Sequence, residues 1–328
     1  MITSFLSVAE QVLILFILLL IGFFCTKAKF FSEECIGGIA KFVLYAVTPC
    51  VIINSFNRDF DSSMLGGLGI AFVAALGVHL FCILVAQFIV KDQNESRQIV
   101  LRFATVFSNC GYMALPLQQA ILGTDGVFYG AGFVAVFNLV NWTYGLALMG
   151  GKDKITVKKI FINPGVIGVV VGMLLFFSPV KLPRLILTPV QSLVALNTPL
   201  PMIIIGYYIA KIKSFSVLKD GKMIFSILLR LVILPLCVFG ILFLCGLRGV
   251  LLTSMVIAAS APTAANTVLF SAMFKRDSEL AVAMVSISTL FSILTMPLIV
   301  SLQWVYKKKC FEKISKHFFF ITECFRVF

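Results

Sequence analysis

Along the chain, apolar stretches of about twenty residues alternate with short polar ones that carry most of the charge. The first apolar run reaches from about Val8 to Phe24, and nine more follow. The pattern predicts helices at roughly 5–25, 36–56, 65–90, 98–121, 127–149, 161–178, 185–210, 223–246, 250–274 and 279–305. Each is close to the ~20 residues that cross a bilayer as a helix. A membrane barrel would show short segments alternating residue by residue, and these runs do not. The fold class expected is all-α and integral to the membrane, with ten transmembrane helices.

Sliding the chain over itself by about 150 residues keeps the span pattern and several special residues in step. Thr48-Pro49 falls on Thr198-Pro199, Gly22 on Gly172, and the stretch Asn109 to Tyr112 on Ala259 to Pro262. The fifth span falls on the tenth. The offset predicts two five-helix repeats, residues 1–149 and 161–305, joined by a short loop at 150–160 and followed by a tail at 306–328. Five is odd, so the second repeat enters the membrane from the opposite side. Inverted repeats with interrupted helices at matching positions are a transporter signature.

Composition agrees: 60% of the 328 residues are hydrophobic and 12% charged, too little polar surface for a soluble chain of this length. No basic leader with a small-residue cleavage site precedes the first run, which is read as the first helix. Loops after odd-numbered helices hold Lys27, Lys29, Lys91, Arg97, the lysines from Lys152 to Lys159 and from Lys211 to Lys222, and Lys275 with Arg276. Loops after even-numbered helices hold only Arg58, Lys181, Arg184 and Arg248. The positive-inside rule then puts the first set in the cytoplasm and both termini outside. The net charge of +13 is dispersed over these loops without forming one basic face, so a lipid bilayer and not nucleic acid is the expected partner. The tail is basic, with Phe311, Ile314, Phe318, Ile321 and Phe325 at helical spacing. It reads as an amphipathic helix on a membrane surface. Such a helix prefers the anionic cytoplasmic leaflet, whereas the ten-span count puts it outside. The nine cysteines include no CxxC pair, and Cys50, Cys82, Cys110, Cys237 and Cys245 read as small buried residues. No metal or cofactor is expected.

All fourteen Asp and Glu residues lie in loops, in the tail or near a span end. That removes an intramembrane metallo- or aspartyl enzyme, which needs buried carboxylates or His clusters. Two basic side chains lie deep, His79 on the third span and Arg230 on the eighth. Each is a candidate for proton or anion linkage. Each also has a plainer reading: Arg230, some eight residues from Lys222, can snorkel to the cytoplasmic surface, and His79 can be a packed core residue.

The fourth span contains Asn109, Gly111 and Pro116; the ninth contains Pro262, Thr263 and Asn266. Proline removes a backbone donor and clashes with the carbonyl four residues back, so each helix should bend or open there. If the two cross, the second half of each presents its N-terminus at the centre, where free N–H groups and the positive dipole end form an anion site. No central Lys or Arg is required. Thr48-Pro49 and Asn197-Thr198-Pro199 are further kinks, and Asn138 and Asn141 lie on the fifth span. These are candidates to line the same cavity or to act as interhelical hydrogen-bond partners.

These motifs resemble the auxin efflux carrier family, which includes plant auxin carriers and bacterial malate or malonate permeases. The stretch "SNCGYMALPL" is similar to the family's fourth-helix pattern, an Asn followed seven residues later by Pro. "NLVNWTYG", "INPGVIG" and "SAPTAANTVLFSAMFKRDSELA" are similar to the segments after it, at the start of the sixth helix and at the ninth-helix crossover. The resemblance covers essentially the whole chain. It implies two inverted repeats, both termini non-cytoplasmic, and a homodimer. It also implies a scaffold of helices 1, 2, 6 and 7 and a moving transport domain of helices 3–5 and 8–10. The substrate carboxylate would meet Asn109, Pro262 and Asn163. The short loop between helices 5 and 6 looks bacterial, and a plasma-membrane location follows. The expected function is a secondary carrier of small organic anions, with no enzymatic activity. A sodium-coupled bile-acid-type symporter and a non-transporting membrane sensor or scaffold are the alternatives.

Overall fold

A computed structural model describes residues 2–57, 62–151, 164–178, 181–211 and 220–324. Among them no strand occurs beyond one isolated bridge, and the helices are α1 (Ile2–Lys27), α2 (Glu33–Phe56), α3 (Ser62–Ile89), α4 (Glu95–Val106), α5 (Cys110–Gly150), α6 (Pro164–Phe177), α7 (Arg184–Ala195), α8 (Pro199–Ala210), α9 (Gly221–Leu244), α10 (Gly249–Ser260), α11 (Asn266–Met273) and α12 (Ser278–Cys324). The chain is an all-helical, multi-pass membrane protein. Among the described residues six helical stretches are long and apolar enough to cross a bilayer: Glu33–Phe56, Met64–Ile89, Cys110–Gly150, Arg184–Ala210, Gly221–Leu244 and Ser278–Leu302. Shorter apolar helices cover Leu13–Lys27, Val166–Phe177 and Gly249–Ser260.

Three π-helical turns share one cause. Val43–Val47 in α2, Cys110–Ala114 in α5 and Leu229–Ile233 in α9 each end two residues before a proline, Pro49, Pro116 and Pro235. A widened turn relieves the clash of the proline ring with the upstream carbonyl without ending the helix. In α2 the Val43 carbonyl accepts both the Thr48 N–H and, at 3.0 Å, the Thr48 hydroxyl. The kink expected in the seventh span is a full break: α7 ends at Ala195 and α8 begins at Pro199.

Gly123 divides α5 with φ +66°, a left-handed conformation that a side chain disfavours. Beyond it the chain folds back: a Cβ at Gly130 would fall on the side chains of Gln118 and Leu115. In a straight helix twelve residues would separate them by ~18 Å. α1 packs along α8 through two glycines. A Cβ at Gly22 would strike the Ile203 backbone and one at Gly206 the Leu19 carbonyl, so the two backbones touch, as small residues allow in lipid.

One end of the molecule is tied by charge. Arg97 of α4 bonds Asp220 and lies 3.6 Å from Asp277 and 3.7 Å from Asp92; Lys222 lies 3.3 Å from Asp92. Two of these carboxylates also cap helices. Asp220 accepts from the Lys222 and Met223 N–H groups at the start of α9, and Asp277 from Leu280 N–H at 2.9 Å at the start of α12. Burial pushes the Asp92 carboxyl up. The Asn94 N–H, Lys222 and Arg97 more than offset that and hold it below its ordinary value. Three loops that charge counting put on one side of the membrane therefore meet.

Large apolar side chains such as Val73, Phe88, Leu174 and Leu294 are exposed on the outer surface, as a lipid-facing belt requires. Cys237 and Cys245 are exposed as well. The expectation of burial fails for them because an apolar run in a membrane helix faces either protein or lipid. α12 continues past 305, so the tail is helical as far as Cys324.

Candidate functional site

α4 and α10 each run 12 residues before breaking. That is ~18 Å, a little over half of the ~30 Å hydrocarbon layer. Phe107 and Ala261 then turn extended, and the two gaps pair with each other. Asn109 N–H donates to the Pro262 carbonyl at 2.7 Å, Ala264 N–H donates to the Phe107 carbonyl at 2.9 Å, and Ser108 faces Thr263 in an antiparallel bridge. The main-chain groups that the breaks release answer one another, as a dry environment demands. The partners are 263 − 108 = 155 residues apart. The slide of 150 set Asn109 to Tyr112 on Ala259 to Pro262, five residues from this pairing.

The second halves, α5 and α11, start at this crossing. In their first turns Met113 N–H donates to the Asn109 carbonyl, and Thr267 and Val268 N–H donate to the carbonyls of Ala264 and Ala265; the positive dipole ends lie there. A cavity of about 30 Å³ opens at the same place, lined by Thr48, Ser108, Asn109, Gly111, Tyr112, Val134, Phe137, Asn138, Ala264, Ala265 and Asn266. It has room for a water or two. The side chain of Asn109 is buried and its amide Nδ2 has no hydrogen-bond partner. A buried donor without a partner costs stability, which marks it as a group waiting for an acceptor.

The opposite ends of the breaks are served by Arg230, 2% exposed in the π turn of α9. Its Nε donates to Ala261 O at 3.2 Å, its Nη1 to Thr105 O and Val106 O at 3.3 Å each, and its Nη2 to Ala259 O. Thr105, Val106 and Ala259 are in the last turns of α4 and α10, whose carbonyls lack intrahelical donors and carry the negative dipole ends, and Ala261 is the first residue of the second break. Arg230 therefore does not snorkel. Nor is the crossing free of basic side chains, as the sequence reading supposed. His79 is buried, and its Nδ1 lies 2.7 Å from Ala75 O. A carbonyl only accepts, so Nδ1 carries the proton. The ring sits among Phe107, Phe133 and Phe137, with centroids 6.4, 5.0 and 6.2 Å away. It stands behind the cavity wall at Phe137 and does not line the cavity.

Of the residues singled out from the sequence, the structure gathers Asn109, Gly111, Asn266, Asn138 and Thr48 around one cavity. Others lie off it. Thr263 is tied elsewhere, its hydroxyl donating to Ala104 O at 3.2 Å and its N–H to Ser288 Oγ at 3.1 Å, and the Pro262 carbonyl is used by Asn109. Asn141 is buried in its π turn with both amide atoms unpartnered, away from the cavity. Pro116 and Thr198 line a separate space of about 210 Å³ beside Ile14 and Leu15. Asn197 is buried with its Oδ1 unpartnered. Pro49 packs at Gly168, where a Cβ would lie 3.1 Å from the Pro49 Cα. Asn163 lies outside the described residues. The sequence reading missed Ser108, Tyr112, Ala264 and Ala265, which sit inside the two break segments and could have been included on that ground. Ser288, the acceptor for Thr263, had no sequence signal. Among the described residues no group of three or more His, Cys, Asp or Glu side chains could hold a metal.

A family model described as "Membrane transport protein" matches residues 7–155 and 153–300. The chain belongs to this family, the auxin efflux carriers that its motifs resemble. It is a membrane transporter and not an enzyme. An uncharacterized transporter of Methanocaldococcus jannaschii is 24% identical over 302 residues, covering 88% of this chain and 96% of that one. An uncharacterized transporter of Methanothermobacter thermautotrophicus is 24% identical over 308 residues, covering 90% and 98%. A protein of Rhizobium meliloti named "Putative malonate transporter" is 24% identical over 319 residues, covering 88% and 94%.

Proposed function

We propose that the chain carries small organic anions, mono- or dicarboxylates, across the plasma membrane by elevator-type alternating access. The observation that supports this best is the Asn109 amide, buried and unpartnered, in a cavity where α5 and α11 both begin. An amide donor and two positive helix ends converge on the same small space, and a carboxylate supplies the acceptor that the Asn109 amide lacks. The name of the Rhizobium relative is consistent with a carboxylate. Two inverted five-helix repeats account for the pairing of the two broken helices. The division of the family match near residue 154 agrees with a boundary in the 150–160 loop. The Lys and Arg distribution supports both termini outside.

At about 30 Å³ the cavity is smaller than an organic acid needs, so loading requires α2, which contributes Thr48, to separate from the crossing. Movement of one helix group against another is what an elevator supplies. Export of a monoanion down a potential negative inside gains about 2.3 kcal/mol per 100 mV, so transport in that direction needs no coupling ion. The test is uptake of radiolabelled organic acids, malonate first, into proteoliposomes. Asn109→Ala and Asn266→Ala should each lower apparent affinity tenfold or more, about 1.4 kcal/mol. Normal transport by both folded variants would remove the crossover as the anion site.

A further inference from the structure

We propose that Arg230 is a built-in substitute for a coupling cation: it fills the carbonyl cage of the crossing, keeps transport independent of metal cations, and strengthens anion binding in the adjoining cavity. The proposal rests on the organic-anion reading of that cavity and extends it to coupling.

In carriers with broken helices, coupling cations are held by unwound main-chain carbonyls and by the C-terminal ends of half-helices. Here four such carbonyls, Thr105, Val106, Ala259 and Ala261, converge on one guanidinium. A metal ion cannot share those oxygens while Arg230 holds them. The guanidinium keeps its proton in proteins, and among the described residues no carboxylate pairs with it. Its charge is therefore met by neutral groups, the carbonyl dipoles and the Cys82 thiol, and not by a carboxylate. Val106 is two residues from Ser108, and Ala261 three from Ala264, both in the cavity lining. At most ~3.6 Å per residue, the cationic centre lies within roughly 15 Å of an anion there, across a medium with little screening. Arg230, Thr105 and Ala259 sit on α9, α4 and α10, so the charge stays with the crossing.

Arg230 is a positioning residue, and its test needs a readout beyond loss of fold. Malonate binding and uptake by the wild type are measured in sodium, potassium and choline chloride, and Arg230→Ala is measured with and without low-millimolar guanidinium. The wild type should bind equally, within about twofold, in all three salts. Arg230→Ala should lose about tenfold or more in affinity, within the usual range of coupling between two sites. Guanidinium should restore both its affinity and its thermal stability while leaving the wild type unchanged. A wild type that needs sodium by tenfold or more overturns the proposal. So does a folded Arg230→Ala variant that binds malonate normally, or one that guanidinium does not restore. If Arg230→Ala does not fold, the wild-type salt comparison decides. If the wild type binds no organic acid in any salt, the anion reading of the cavity fails. The cage is then still tested by whether guanidinium raises the melting temperature of Arg230→Ala and leaves that of the wild type unchanged.

Discussion

The crossing has two sides, and the protein treats them oppositely. On the side where α4 and α10 end, one guanidinium answers four carbonyls. On the side where α5 and α11 begin, an asparagine amide is left without a partner beside a small cavity. The first side is complete within the chain and the second is not. A group left unsatisfied in a dry interior lowers stability, and the proposed function gives this one a ligand. Substitutions on the first side should therefore damage the fold, and substitutions on the second should damage binding with little effect on the fold.

The largest effect that sharpens this contrast is expected from Arg230→Leu. The apolar side chain fills the space but leaves the carbonyls unanswered, and each buried unsatisfied group costs about 1–3 kcal/mol. Most of the folded, monodisperse protein should be lost in detergent, as read by size-exclusion chromatography. A wild-type profile would mean that the carbonyls have other partners and that the two sides do not differ. Asn109→Ala comes next. Apparent affinity for organic acids should fall tenfold or more, while the melting temperature without ligand stays level or rises, since Nδ2 has no bond to lose. A fall in both would place Asn109 among the structural residues. Ser288→Ala removes the acceptor of Thr263 N–H. It should cost about 1 kcal/mol of stability and leave affinity unchanged, and thermal unfolding with and without ligand separates the two.

The smallest effect belongs to the charged end of the molecule. Asp92 is held below its unfolded pKa of about 3.9. Its contribution is present above that value and fades as the pH falls through the lower folded value. Asp92→Asn should cost about 1 kcal/mol or less at neutral pH, because its partners Arg97 and Lys222 are partly open to solvent and such pairs are weak. The difference should shrink steadily in melts taken at successively lower pH below about 3.9. An effect as large as that of Arg230→Leu would make this end, and not the crossing, the main tie between helices.

Much of this was legible beforehand. Hydropathy marked the chain as helical and membrane-spanning because a bilayer permits few other arrangements of backbone polar groups. Prolines and asparagines marked the breaks because a kink has a local chemical cause. Asn109, Gly111, Asn138, Asn266 and Thr48 were legible as cavity candidates, since polar groups in lipid must face protein or water. Thr263, Asn141 and Pro116 satisfied the same rule and yet face elsewhere. Polarity says that a residue avoids lipid, not which interior surface it meets. Arg230 shows the limit most clearly. Eight residues from a charged loop is a distance along a helix, and the choice between the membrane surface and the crossing depends on which way that helix is turned.

The local physics of the chain determines its helices, its proline-widened turns, its membrane setting and the two segments where helices fail. Each follows from neighbouring residues and the solvent around them. Only the tertiary structure decides that Ser108 meets Thr263, that one arginine closes both helix ends, and that the Asn109 amide is left over. Those are contacts across more than a hundred residues of chain, and they depend on how the helices are turned and stacked.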